Sequence, residues 1–226
     1  WSSNNKYSLY GAMRAVAQLM SYEIPVVLSI LGVVIITESL SLMDIVEKQR
    51  VPFILLQPLG FLIYLAAGTA EVGRPPFDLL EAESEIIAGY HTEYSGMRWA
   101  LLQLGEYVAT FAVAAVVATL FLGGWKGPGP AVLGYLWFFL KAMAVYLLML
   151  WVRGSLPRVR IDQMMGFAWK FLLPLALFNV FITGAEALVW PDFPWWLFPI
   201  NIAIALGLIV LWSSLFQLQA YRRAEA

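Results

Sequence analysis

Six long apolar runs dominate the chain, and each is close to the length that a helix needs to cross a membrane. They cover about residues 9–40, 51–70, 100–122, 131–152, 167–189 and 195–218. At about 1.5 Å per residue, about 20 helical residues span the hydrocarbon core of a bilayer. None of the runs alternates as a barrel strand does. The pattern therefore predicts an all-α, polytopic membrane helix bundle with about six transmembrane helices.

Composition supports this class, because 61% of the residues are hydrophobic and only 13% are charged, against about 25% charged in soluble domains. We find no internal repeat and no low-complexity linker, so we expect one transmembrane domain over residues 1–226, with an additional C-terminal helix in residues 191–226. The chain begins at Trp1 without a signal-peptide pattern, and we expect that an earlier part of the protein is missing.

The basic residues predict the orientation of the bundle. One side of the predicted membrane would hold nine of them and the other side three. The nine are Lys6, Arg14, Arg74, Arg98, Arg153, Arg158, Arg160, Arg222 and Arg223; the three are Lys48, Arg50 and Lys126. Because positive charge is enriched on the cytoplasmic side, we expect the N-terminal end, the loop of residues 71–98 and the C-terminus to be cytoplasmic.

Metal chemistry is restricted by the absence of Cys and the presence of a single His, His91. Cys-ligated iron–sulfur clusters, Cys-rich zinc sites and bis-His haem are excluded within this chain. His91 has no second ligand at metal-site spacing, so we predict no metal site.

Five ionisable residues stand out within the apolar runs or at their ends: Glu23, Glu71, Glu106, Lys141 and Glu186. Glu38 and Lys170 also lie in these runs, but close enough to the span ends to reach water. Such groups are costly in a membrane and by default indicate function. Two interpretations stay open. Buried ion pairs, for example between Lys141 and a glutamate, could hold the helices in register. Alternatively, the groups could form a polar path for protons.

The loop of residues 71–98 gathers six acids and two bases between two apolar runs. Pro75 and Pro76 would end the second span, after which Asp78 can cap a short helix that reaches about Ala88. Asp78, Glu81 and Glu85 would share one face of that helix. A solvated surface helix that lies on a neighbour is the alternative to a role in proton transfer.

The same loop carries a resemblance to a known family. Ala70–Glu85, with Gly-Arg-Pro-Pro-Phe-Asp at residues 73–78, and Gly89–Gly96 resemble the H subunits of bacterial NADH-quinone oxidoreductase (respiratory complex I). Further matching pieces are Asn5–Leu9, Ser21–Glu23, Gly105–Tyr107, Phe121–Trp125 and Arg153–Gln163. Together these pieces cover residues 1 to about 190 in order.

The resemblance implies a membrane subunit of a proton-translocating complex, in the bacterial inner (plasma) membrane, that helps form the quinone site and couples quinone reduction to proton pumping. The resemblance and the ionisable residues of the spans together give the candidates for proton coupling. These are Glu23, Glu71, Glu81, Glu83, Glu85, Glu93, Glu106 and Lys141. The residues that would support the quinone site are Arg74, Asp78, Arg158, Arg160 and Asp162.

The resemblance also predicts the partners. This chain would bind no cofactor by itself; quinone would be the substrate, and the iron–sulfur clusters and FMN would lie in partner subunits. Its partners would be membrane lipid and the other subunits of the respiratory complex, and we expect no nucleic-acid partner. The alternative is the related membrane subunit of an energy-converting hydrogenase or ferredoxin-linked complex. The family's earlier spans do not match any part of this chain, and the helix after residue 190 has no assigned role.

Overall fold

The computed structural model describes residues 5–78, 89, 94–128, 133–190, 194 and 196–224, with side chains described as far as residue 214. Every secondary-structure element in this described part is helical. The elements are α1 (Lys6–Thr37), α2 (Leu42–Lys48), α3 (Phe53–Leu56), α4 (Pro58–Glu71), α5 (Gly96–Leu120), α6 (Gly134–Ser155), α7 (Ile161–Phe167), a π-helical segment (Ala168–Leu172), α8 (Leu173–Val189) and α9 (Leu197–Ala224).

Five of the helical stretches are long and apolar enough to cross a membrane: Lys6–Thr37, Gly96–Leu120, Gly134–Ser155, Ile161–Val189 and Leu197–Ser214. They confirm the predicted all-α membrane bundle. The longest, α1, begins at Asn5, whose side chain accepts a hydrogen bond from the Tyr7 amide, and it ends where Glu38 takes the left-handed conformation.

The second predicted span is not one continuous helix. It consists of the four-residue α3 and the fourteen-residue α4, with Gln57 between them at φ −128° and ψ 63°. Pro58 begins α4, and proline disfavours the helical conformation in the residue before it. Pro58 therefore favours a break in the helix inside the apolar run, and the hydrophobicity of the run does not reveal this break.

The fifth span contains a π-helical segment immediately before Pro174. Proline has no amide hydrogen to donate to the carbonyl four residues earlier, which here is that of Lys170. That carbonyl accepts a hydrogen bond of 2.6 Å from the Trp212 indole on α9. The altered helical geometry thus coincides with a carbonyl whose partner comes from the neighbouring helix.

Two apolar cores hold the bundle together. One centres on Tyr22, Ile63 and Met164, where α1, α4 and α7 meet, and the other on Val33, Phe121 and Val145. Many large apolar side chains remain exposed, including Met13 and Val16 on α1 and Trp151 on α6. Exposed apolar surface of this extent is typical of contact with lipid or protein.

Candidate functional site

The end of α4 is shaped to present Arg74. Gly73 has a φ of 71°, a conformation that glycine adopts without strain. Its amide donates to the Ala70 carbonyl at 3.0 Å, and the Arg74 amide donates to the Thr69 carbonyl at 3.3 Å. These two bonds form a Schellman motif. The Gly73-Arg74 sequence therefore ends the helix and turns the arginine side chain toward the rest of the bundle.

A buried glutamine on α1 fixes the same turn. The Gln18 amide group donates to the Ala70 carbonyl at 2.5 Å and to the Phe77 carbonyl at 3.1 Å. One side chain therefore ties α1 to the chain both before and after Arg74. Phe77 in turn packs against Tyr22, with ring centroids 5.8 Å apart. These contacts leave the Arg74 backbone little freedom.

Arg74 joins α4 to two residues of α5. It is 8% exposed, and its Nη2 lies 3.6 Å from Oε2 of Glu106. Its guanidinium carbon also lies 4.1 Å from the centre of the Tyr107 ring, within the range of a cation–π contact. A guanidinium stays charged at any physiological pH, so a permanent positive charge sits beside the Glu106 carboxyl.

A second arginine approaches the same tyrosine from α6. Arg153 and Arg74 both interact electrostatically with Tyr107. These three residues line a pocket together with Thr110, Tyr146 and Pro75. The pocket thus brings together the end of α4, the first half of α5 and the end of α6, and the charged groups that line it are the two arginines.

Asp78 pairs with Arg158 on the same side of the bundle. The Arg158 Nη2 donates to Oδ2 of Asp78 at 2.8 Å, and Asp78 is 8% exposed. The Val159 amide adds a backbone bond of 3.0 Å to the Pro76 carbonyl. The structure therefore joins two of the predicted quinone-site residues that lie 80 positions apart in the sequence.

Glu71 and Glu23 also come together. Their carboxyls interact electrostatically, and Glu71 interacts in the same way with the buried Tyr64. Both glutamates are exposed on the surface of this chain. A carboxyl at membrane depth needs water or protein around it, so this surface is suited to contact with other protein or with a hydrated space.

Lys141 lies elsewhere. Its Nζ donates to the Gly124 carbonyl at 3.1 Å and to the Lys126 carbonyl at 2.5 Å. In the part of the chain that the structure describes, its partners are these two carbonyls, and no glutamate lies within ion-pair distance of it. The reason is local: the loop after α5 presents carbonyl oxygens that the ammonium group reaches from the early turns of α6.

The remaining predicted residues divide into two groups. Arg160 and Asp162 lie at the start of α7, where the Arg160 amide donates to Oε1 of Gln163 at 3.4 Å. Glu81, Glu83, Glu85 and Glu93 lie outside the described residues, as do His91 and the short helix predicted after Asp78. Gly89 is described and has a φ of 52°.

Sequence reasoning missed Gln18, Tyr107, Arg153 and the polar residues around Gln57. Amides inside apolar runs carry the same desolvation problem as charges, and this signal could have identified the two glutamines. Among the described residues, no group of three or more His, Cys, Asp or Glu side chains could hold a metal ion.

Long apolar helices with paired ionisable groups at one end define a polytopic membrane protein. Comparison with known proteins identifies the family. A family model described as NADH dehydrogenase matches residues 1–184, so the chain belongs to that family.

Individual relatives agree. The H subunit of NADH-quinone oxidoreductase from Dehalococcoides mccartyi (strain CBDB1) is 60% identical over 219 residues, covering 96% of this chain and 62% of the relative. The H subunit of the same enzyme from Geobacillus kaustophilus (strain HTA426) is 57% identical over 189 residues, covering 81% of this chain and 56% of the relative. The chain thus spans about three-fifths of the length of these relatives. The Dehalococcoides match also takes in most of α9, so this helix is not peculiar to the present chain.

Proposed function

We propose that this chain belongs to the membrane subunit of a proton-translocating NADH:quinone oxidoreductase, where it helps form the quinone site and couples quinone reduction to proton movement. The observation that carries the proposal is the position of Arg74, between the Glu106 carboxyl and the Tyr107 ring at the end of α4. Family membership and the names of the relatives support the identity of the complex.

The proposed chemistry uses carboxyls that exchange protons beside an arginine that does not. Arg74 places a fixed positive charge beside the Glu106 carboxyl, and the two groups attract each other when the carboxyl is ionised. Protonation of Glu106 removes that attraction and leaves Arg74 to its contacts with Tyr107. A change of charge at a nearby quinone would in this way alter how many of the carboxyls carry a proton, and it would shift the guanidinium of Arg74.

The path of the protons would run through Glu106, Glu71 and Glu23, with the acids of residues 81–93 at its cytoplasmic end. Glu71 and Glu23 interact electrostatically, so two acids of this proposed path are neighbours. The Asp78–Arg158 pair holds the segment after Arg74 against the residues before α7, and we assign it a positioning role. Lys141, whose ammonium binds two loop carbonyls, would act at a distance from this path.

The most direct test of identity is the composition of the complex that contains this chain. The full-length protein is affinity-tagged, and the intact complex is purified in mild detergent. The proposal predicts a Cys-rich iron–sulfur subunit and an NADH-binding subunit in the complex, with NADH:quinone activity. A hydrogenase large subunit in their place would overturn it in favour of the hydrogenase-type complex.

A further inference from the structure

A second cluster of buried polar groups lies at the break between α3 and α4. Gln57 is 3% exposed, Asn179 6% and Asn201 7%. They come from the break itself, from α8 and from α9. Together with Thr183 and Glu186 they line one pocket. Polar amides at this depth in an apolar bundle need partners for all their polar atoms.

The hydrogen bonds within the cluster fix the orientation of the Gln57 amide. The Thr183 hydroxyl donates to the Asn179 carbonyl at 2.8 Å, so its oxygen is available as an acceptor. The Gln57 Nε2 donates to that oxygen at 2.9 Å. The Gln57 Oε1 therefore points away from Thr183, and as a carbonyl oxygen it can only accept a hydrogen bond.

Three buried atoms of the cluster have no hydrogen-bond partner among the described residues. They are two acceptors, Gln57 Oε1 and Asn201 Oδ1, and one donor, Asn179 Nδ2. A buried polar atom that is left unpaired destabilises the fold, because it has lost its hydrogen bonds to water. Water can both donate and accept, so it suits this mixed set. A metal cation would satisfy the oxygens but would be repelled by the amide hydrogens of Asn179.

Glu186 connects the cluster to the end of α8. Its Oε2 accepts from Asn201 Nδ2 at 3.0 Å, and the same nitrogen donates to the Leu56 carbonyl at 2.8 Å. In the described part of the chain, no Lys or Arg side chain lies within ion-pair distance of Glu186. The hydrogen-bond partner of the carboxyl among the described residues is the Asn201 amide from α9.

The location differs from that of Arg74. At about 1.5 Å per residue, roughly 35–40 Å of helix separates Ile161, next to the Arg158 segment, from Glu186. The site therefore lies toward the opposite end of the bundle from the Arg74 pocket. Two glycines, Gly32 on α1 and Gly60 on α4, make room for it: a Cβ at Gly60 would lie 3.1 Å from Asn179 Nδ2 and 3.3 Å from Gln57 Oε1.

We propose that the break at Gln57 is a hydrated site, in which water held by Gln57, Asn179 and Asn201 links the interior of the bundle to a proton-exchanging carboxyl at Glu186. The proposal does not depend on the identity of the complex, because it rests on the polar atoms of this chain alone. Its ligand is water, and its exchangeable group is the Glu186 carboxyl.

The first test is a map of the intact complex at a resolution that shows water. We expect water density within hydrogen-bonding distance of Gln57 Oε1 and Asn179 Nδ2 in the wild type. Gly60→Ala should displace that water, whereas Gly207→Ala, where an added Cβ meets no atom within 4 Å, should retain it. A map in which the two amides bond directly to each other, with no water, would overturn the proposal.

The second test follows the carboxyl by pH-difference infrared spectroscopy of the same complex. Glu186→Gln should remove one band of a carboxyl in apolar surroundings, and Asn201→Leu should shift it. Glu47→Gln, at an exposed position on α2, serves as the control and should leave that band in place. A spectrum of Glu186→Gln that is the same as the wild-type spectrum would show that Glu186 exchanges no proton.

Discussion

The guanidinium of Arg74 lies 3.6 Å from the carboxylate of Glu106, and this contact joins the two ends of the acidic loop. Arg74 lies near the start of the loop of residues 71–98, and Glu106 lies in α5 beyond its end. The pair therefore closes the base of the loop, and Tyr107, beneath the same guanidinium, makes the contact specific for arginine. A lysine would keep the charge but not the planar face.

The contact between Arg74 and Tyr107 can be measured by a double-mutant cycle. Cation–π contacts contribute about 0.5–2 kcal/mol, depending on their desolvation. We expect Arg74→Gln and Tyr107→Leu to show a coupling in that range when the thermal stability of the assembled complex is compared across the two single variants and the double variant. Fully additive effects would show that the guanidinium does not use the ring.

The Asp78–Arg158 pair should position the segment after α4. We expect Arg158→Gln to increase hydrogen exchange at the backbone amides of Phe77 and Asp78, because the variant removes the 2.8 Å contact to a buried carboxylate. Arg160→Gln is the matched control, since Arg160 is exposed and the described residues provide it with no ion pair. Equal exchange in the two variants would contradict the positioning role.

Gln18 should matter for stability more than a surface glutamine does. Gln18→Leu leaves the carbonyls of Ala70 and Phe77 without a side-chain donor, at a cost of about 1–3 kcal/mol. We expect a lower unfolding temperature of the purified complex and weaker quinone-linked turnover, because the Arg74 turn loses its anchor. Gln163→Leu changes an exposed side chain and should have a smaller effect on both measurements.

Lys141 offers a choice between two roles that substitution can separate. Its ammonium donates to the carbonyls of Gly124 and Lys126, so we expect Lys141→Gln, which keeps amide donors, to retain more stability and proton pumping than Lys141→Met. If both variants lose pumping equally while stability is kept, the charge of Lys141 is required. The measurements are thermal unfolding and pumping of the reconstituted complex.

Sequence patterns predicted the long helices well because their length and apolar character are properties of single segments. The pattern could not show the break at Gln57, since Leu56, Gln57 and Pro58 lie inside a run that is apolar on average. Nor could it show the π-helical segment, in which the Lys170 carbonyl accepts from Trp212 on another helix.

The site was predicted in part. Arg74, Asp78 and Arg158 were selected from the sequence, but the pairing of Asp78 with Arg158 joins segments 80 residues apart, and no local pattern encodes it. Lys141 shows the converse: an ionisable residue in an apolar run suggested a carboxylate partner, whereas the fold provides backbone carbonyls. Partners across the bundle are set by how helices pack, which a single sequence does not reveal.

Glu106, held by Arg74, is the carboxyl that we propose takes part in coupling quinone reduction to proton movement. Its role is tested most directly by the number of protons translocated per NADH oxidised, together with quinone-linked turnover, in proteoliposomes that contain the intact complex with Glu106→Gln. We predict that one or both quantities fall, while the exposed-acid control Glu47→Gln leaves both at the wild-type level. Wild-type turnover and wild-type pumping in Glu106→Gln would contradict this role.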